Sequence, residues 1–109
     1  MILLPYRRMQ AVSYAHYWAY RRNPAFYDFE ESGGDCTNFA SQCLYAGTGV
    51  MNFTPTFGWY YRSAEDRAPA WSGVEFFYNF LTRPESSPGP IATSTQNLTL
   101  ARPGDMIQL

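Results

Sequence analysis

One segment governs how this chain is expected to fold: residues 33–47, which read GGDCTNFASQCLYAG. Asp35 is a residue type that caps helix N-termini, and the run that begins at Cys36 predicts a helix over about 36–46. Gly47 is expected to end this helix in the left-handed conformation that glycine adopts readily. Helical spacing places two sets of residues on different faces. Cys36, Phe39, Ala40, Cys43 and Leu44 share the predicted buried face, while Thr37, Ser41 and Gln42 lie away from it.

The flanking sequence predicts two more helices and one strand. Small and apolar residues recur at helical spacing over about 6–22, where Asn23-Pro24 ends the pattern, and again over about 73–82. Residues 47–71 show no clear period, and the turn at 102–105 leads into a strand over about 105–109. A single strand has no partner. The sheet is therefore expected either in undetected strands of the middle segment or, as we favour, in sequence beyond this chain.

The composition indicates one globular domain over residues 1–109. Of the 109 residues 46% are hydrophobic and 16% are charged, and a chain of this size can bury a real core. With a formal net charge of −1, the chain lacks the broad positive field of a nucleic-acid-binding protein. The pairs Arg7-Arg8 and Arg21-Arg22 are expected on solvated faces. No apolar run approaches the ~20 residues of a membrane span, and residues 1–5 do not resemble a signal peptide.

The chemistry of the chain is expected at Cys36. A helix N-terminus carries unpaired N–H groups and partial positive charge, which stabilise a thiolate and can hold an oxyanion. Cys36 is therefore a candidate nucleophile that also contributes its backbone N–H, supported by Gly33, Gly34, Asp35 and Thr37. Asp35 is expected mainly as a helix cap, since its charge would oppose a nearby thiolate. From position alone, Cys36 as a small buried hydrophobe is an equally good interpretation.

The other chemically distinctive residues are expected to be structural. Cys43 lies about 10 Å of helix rise from Cys36, too far for a disulfide, and is assigned to the core. No metal or cofactor is expected, because CxxC and HxxxH patterns are absent. His16, the one histidine, is expected to be structural or on the surface, and Asp105 a turn residue. Most aromatic residues are assigned to the core, although Trp59, Tyr60, Tyr61 and Trp71 include candidates for the wall of a substrate groove.

Taken together, these residues resemble the bacterial putative amidase domain family. The resemblance is carried by Tyr6-Arg7, Ala11-Val12-Ser13-Tyr14-Ala15, Trp18, Asn23-Pro24, Asp28-Phe29, residues 33–44, Ala46-Gly47, Trp59-Tyr60, Ala70-Trp71 and Pro103-Gly104-Asp105. It implies an α+β, papain-like thiol hydrolase related to the NlpC/P60 and CHAP domains, with Cys36 as nucleophile. The catalytic histidine and its polar partner would follow on later strands. The chain would then be mainly the N-terminal helical lobe, with the sheet largely missing or only begun at the C-terminus, either truncated or a natural short form.

The expected function is therefore cysteine-dependent hydrolysis of amide or peptide bonds in bacterial cell-wall peptidoglycan. The resemblance also implies a secreted or cell-envelope location. Because the histidine is not in this chain, residues 1–109 alone are expected to be inactive or nearly so. The alternative is a non-catalytic module of the same fold that binds cell-wall peptide or another protein. A third possibility is a helical lobe that self-associates through an exposed apolar face.

Overall fold

The computed structural model describes residues 4–32, 34–84 and 87–107, and within them the regular structure is helical. The four α-helices are α1 (Arg8–Trp18), α2 (Cys36–Thr48), α3 (Pro69–Ser72) and α4 (Val74–Leu81). Two single 3₁₀ turns lie at Glu30–Ser32 and Leu98–Leu100. Helix α2 is central, since α1 packs on one side of it and α3 on another, while α4 packs against α3. Cys36, the first residue of α2, is therefore carried by a helix that two other helices hold in place.

Helix α2 extends further than the predicted 36–46. Gly47 stays inside the helix and is buried. The ring of Tyr6 occupies the space that a side chain at this position would need. The helix ends instead at Gly49, which has a φ of 68° and donates its backbone N–H to the Tyr45 carbonyl at 2.7 Å. The prediction that Gly47 is the left-handed cap is thus wrong. Gly47 provides close contact with Tyr6, and Gly49 provides the turn.

The hydrophobic core forms around two tryptophans that face α2. The Trp59 and Trp71 rings have centroids 4.9 Å apart, and both side chains are 0% exposed. The other buried members of this cluster are Leu44, Ala70, Phe77, Phe80 and Leu81. Trp71 belongs to α3, a helix that the sequence did not predict and that begins with Pro69 at its first position, where the missing N–H costs nothing.

The connection between α2 and α3 is held by turns and two isolated bridges. Asn52 and Trp59 exchange backbone hydrogen bonds of 2.8 and 2.7 Å, and an antiparallel bridge joins Tyr61 to Arg67. The Asn52 side chain donates to the Pro88 carbonyl at 2.9 Å and accepts from the Thr54 N–H at 2.9 Å. These bonds bring Trp59 into the core from a segment without regular structure.

The predicted papain-like α+β fold is wrong. In the described ranges the only β pairings are the two isolated bridges, and neither extends into a strand or sheet. Residues 105–107 of the predicted strand are not strand, and 108 and 109 lie outside the described residues. The physical reason is that the preceding turn binds to the start of α1 and the residues just before it: the Tyr6 hydroxyl donates to the Gly104 carbonyl at 2.7 Å, and Arg8, the first residue of α1, pairs with Asp105 at 2.5 Å. Asp105 also accepts the Arg102 N–H at 2.9 Å, as expected of a turn residue.

None of the helices in the described ranges is long and apolar enough to cross a membrane.

Gly58 is expected to be the least replaceable glycine of the connection. An alanine methyl there would run into the carbonyl oxygens of Asn52 and Thr54 and lie 2.9 Å from the Thr54 nitrogen. Because these are backbone atoms of one closed turn, Gly58→Ala should lower the free energy of unfolding by about 2 kcal/mol. The measurement is equilibrium urea denaturation.

Gly47→Ala is the matched control for this experiment. The Gly47 methyl would meet a side chain, the Tyr6 ring, more closely than it meets backbone, whose nearest atom is the Arg7 carbonyl oxygen at 3.1 Å, and alanine favours a helix over glycine by about 1 kcal/mol. The loss at Gly47 should therefore be the smaller of the two. An equal or larger loss at Gly47 would contradict the argument that backbone collisions decide the cost.

Candidate functional site around Cys36

Cys36 is the first residue of α2 and its side chain is exposed to solvent. Among the described residues no side chain caps the start of this helix, and its first backbone bond runs from the Phe39 N–H to the Asp35 carbonyl at 3.0 Å. Cys43, two turns further along, is 6% exposed, and burial raises the pKa of its thiol to about 11. The two thiols therefore differ in access: Cys36 can meet a ligand, and Cys43 is a core residue.

Asp35 does not cap α2, contrary to the sequence prediction. Its ψ of 2° differs from the extended conformation of capping residues. One carboxylate oxygen accepts the Phe29 N–H at 3.0 Å and the Asn38 Nδ2 at 2.9 Å, and the other pairs with Arg22 at 2.9 Å. Burial alone would raise the pKa of Asp35, but these hydrogen bonds and the Arg22 charge outweigh it and lower the pKa below its usual value. Asp35 is thus a fixed carboxylate beside Cys36.

Asn38 connects this carboxylate to the core. Its side chain is 0% exposed, and its Nδ2 also donates to the Tyr27 carbonyl at 3.1 Å. Its Oδ1 accepts the indole N–H of Trp71 at 2.9 Å. The amide therefore joins the loop before α2, the start of α2 and α3 through one buried group.

Ser41 and Gln42 are buried, so the prediction that they lie away from the core is wrong. The Ser41 hydroxyl donates to the Trp71 carbonyl at 2.8 Å and accepts the Trp59 indole N–H at 3.0 Å. The Gln42 Oε1 accepts the Tyr14 hydroxyl, and burial raises the pKa of that tyrosine. These polar groups are buried because each has a partner inside the protein.

The aromatic residues predicted for a groove are distributed differently. Trp59 and Trp71 lie in the core with no exposed surface, so neither lines an open groove. Tyr60 is half-buried, 5.3 Å between ring centroids from the exposed Phe53. The Arg62 guanidinium lies 4.5 Å from the centroid of Phe53 and 5.4 Å from that of Tyr60. Tyr60 therefore packs with exposed residues, whereas the two tryptophans belong to the core.

The remaining candidate residues belong to the sequence around the start of α2, except for His16, which lies on α1. Gly34 is exposed with a φ of 106°, and apart from its chain neighbours no described atom lies within 4 Å of the Cβ it lacks, so space is open there. Gly33 lies outside the described residues, and Thr37 is half-buried. His16 is exposed on α1, in a shallow depression lined by α1 and the residues just after it, among them Met9, Ser13 and Tyr17. Cys36 does not line that depression.

Arg22 and Asn38 are the site residues that sequence reasoning missed. Arg22 is exposed, as expected, but the sequence did not predict that it pairs with Asp35 at 2.9 Å and with Asp28 at 3.2 Å. The sequence contains one usable signal for Asn38: it lies at helical spacing from Ser41 and Gln42, which indicates a polar stripe that needs internal partners. Nothing in the local sequence pairs Arg22 with Asp35.

Within the described ranges, no three His, Cys, Asp or Glu side chains are grouped so that they could hold a metal ion.

Comparison with known proteins identifies the family. The model of the putative amidase domain matches residues 5–109. This chain belongs to that family. A relative from Bacillus subtilis (strain 168), the uncharacterized protein YhbB, is 33% identical over 104 residues. The match covers 94% of this chain and 32% of the relative, so the chain spans about a third of the length of the curated protein that it matches. No solved structure matches the chain. The family relation is therefore shown, and a relation to papain-like domains is not.

Proposed function

We propose that this putative amidase domain hydrolyses amide bonds by acyl transfer, with Cys36 as the nucleophile. The observation that carries the proposal is the exposed thiol at the first residue of the 13-residue α2, whose start no described side chain caps. Backbone N–H groups that are not taken by a cap are suited to stabilise the oxyanion of a tetrahedral intermediate. The family name, which refers to amidases, supports the reaction class.

The proposed reaction has two steps, formation of a thioester and its hydrolysis. The Cys36 sulfur attacks the carbonyl carbon, and the amine leaves with the proton that a base removed from the thiol. Water then attacks the thioester, which releases the carboxylic acid and restores the thiol. His16 lies in a depression on α1 to which Cys36 does not contribute. In this proposal the base is supplied from outside the described residues.

The proposed substrate is the peptide of the bacterial cell wall. This part rests on the sequence resemblance stated above, and the match to a bacterial relative is compatible with it. The open backbone at Gly34 leaves room for an extended peptide to approach the thiol. The rival function is non-catalytic binding of the same peptides.

Thiol reactivity and covalent capture test the proposal directly. Iodoacetamide at pH 6 should alkylate Cys36 and leave Cys43 unmodified in the folded chain, because the first thiol is exposed and the second is buried. A chloromethyl ketone built on a cell-wall stem dipeptide should add to the same residue. Intact and peptide mass spectrometry identify the modified cysteine.

Cys36→Ala should abolish capture and any release of amines from purified wall peptides, whereas Cys43→Ala should preserve capture, because that thiol is buried. Cleavage is not required of residues 1–109 alone, because the base is expected from outside the described residues. If wall peptides bind and the chloromethyl ketone does not add to Cys36, the rival binding function holds and the hydrolase proposal fails.

A further inference from the structure

We infer that Arg22 acts on the Cys36 thiol through Asp35, because its guanidinium neutralises the carboxylate of this adjacent residue. This inference rests on the proposed role of Cys36. Asp35 precedes Cys36 directly, and its side chain is only 12% exposed. A carboxylate so weakly solvated opposes the formation of a second negative charge nearby. The ion pair with Arg22 supplies the compensating positive charge.

The Asp35 carboxylate is fixed independently of Arg22. Its other oxygen accepts the Phe29 N–H and the Asn38 side-chain amide at 3.0 and 2.9 Å. Asn38 is itself held by Tyr27 and Trp71. Removing the guanidinium should therefore leave the carboxylate where it is and expose its charge to the thiol. This separation of placement from neutralisation makes the inference testable.

The surrounding charges increase the importance of Arg22. Asp28, also paired with Arg22, and Glu30 add negative charge to the loop before α2. Arg67 also contacts this loop, with its guanidinium 4.4 Å from the centroid of the Phe29 ring, and donates to the Ser72 hydroxyl at 2.8 Å. Within the described ranges, Arg22 supplies the one ion pair that Asp35 makes.

Two charge removals with opposite expected effects on the alkylation rate test this role. Iodoacetamide alkylation of Cys36 is followed at pH 7 by peptide mass spectrometry in four proteins: the parent, Arg22→Gln, Asp35→Asn and the double variant. Arg22→Gln should slow alkylation about threefold, Asp35→Asn should accelerate it about threefold, and the double variant should return close to the parent rate. A purely structural pair would not give changes of opposite sign.

Arg21→Gln is the matched control. Arg21 is the neighbouring cation, and its guanidinium lies 4.3 Å from the centroid of the Tyr17 ring. Its removal changes the net charge by the same amount and should leave the alkylation rate unchanged. Equal effects at Arg21 and Arg22, or single variants at Arg22 and Asp35 that move the rate in the same direction, would overturn the inference.

A conservative variant keeps the test decisive if Asp35→Asn does not fold. Arg22→Lys retains the charge and should restore most of the parent rate, and a rate equal to that of Arg22→Gln would overturn the inference. The alkylation assay needs no substrate. A chain that shows these opposite rate changes but does not capture the chloromethyl ketone keeps the inference and loses the hydrolase proposal. A chain that captures the chloromethyl ketone at Cys36 without these rate changes does the reverse.

Discussion

Trp71→Ala is expected to lower the free energy of unfolding by about 4 kcal/mol, close to the whole stability of a small domain. The indole is fully buried and its ring packs 4.9 Å from Trp59 and 5.8 Å from Phe26, measured between centroids. Truncation would leave a cavity among these rings. It would also remove the N–H donor that the buried Oδ1 of Asn38 accepts.

Trp18→Ala is the control for this measurement. Trp18 ends α1, is half-buried, and lies 4.7 Å from the Tyr17 ring and 6.2 Å from the Tyr14 ring. Its loss should cost about 1 kcal/mol, because solvent and nearby side chains can fill the space. Urea unfolding should be followed by far-ultraviolet circular dichroism, since both variants change the fluorescence. Similar losses at the two positions would show that Trp71 is not the centre of the core.

The start of α2 was predictable from sequence and its end was not. The glycines and Asp35 before Cys36 mark a helix boundary by local backbone preference, and α2 does begin at Cys36. Two glycines, Gly47 and Gly49, satisfy the local rule for the end equally well. In the structure Gly47 packs against Tyr6, which is distant in sequence, and Gly49 is the left-handed cap.

The buried face of α2 could not be predicted from hydrophobicity alone. Asn38, Ser41 and Gln42 are polar and were expected to face solvent or were left unassigned, yet all three are buried. Two of them bind the indole N–H groups of Trp71 and Trp59, which need acceptors once the tryptophans enter the core. A polar residue is buried when a donor from elsewhere in the chain meets it, and helical periodicity does not contain that information.

The prediction of a sheet is wrong for a related reason. The turn at 102–105 has the local residue types that lead into a strand, but strands require partners in space. Tyr6 and Arg8 instead bind this turn to the start of α1 and the residues just before it. The Arg22 ion pair with Asp35 is equally non-local, so the sequence identified the candidate nucleophile without the charge that stands beside it.

Asn38→Asp is expected to lower the free energy of unfolding by about 3 kcal/mol at pH 7. The Asn38 amide nitrogen now donates to Asp35 at 2.9 Å and to the Tyr27 carbonyl at 3.1 Å, in a position with no solvent access. The substitution replaces that donor with a second carboxylate of nearly the same shape. Two acceptors would then face each other, and neither could be hydrated.

The pH dependence separates this charge effect from a packing defect. The new carboxyl group should have a pKa above its unfolded value, so its protonated form should contribute stability at low pH that is lost as the pH rises through that pKa. The parent behaves oppositely, because the lowered pKa of Asp35 gives stability that is lost as the pH falls through it. The stability gap between parent and variant should therefore narrow from pH 7 to about pH 4.

Asn79→Asp on the exposed surface of α4 makes the same chemical change without burial. Its effect should stay within about 0.5 kcal/mol at either pH. Urea titrations at the two pH values measure all three proteins. A gap at Asn38 that stays constant with pH would mean that lost packing, and not the meeting of two carboxylates at the start of α2, explains the cost. A gap that closes would establish that the loop before Cys36 is held to the core by a donor at Asn38, since protonation of the new carboxyl group supplies an O–H in the same place.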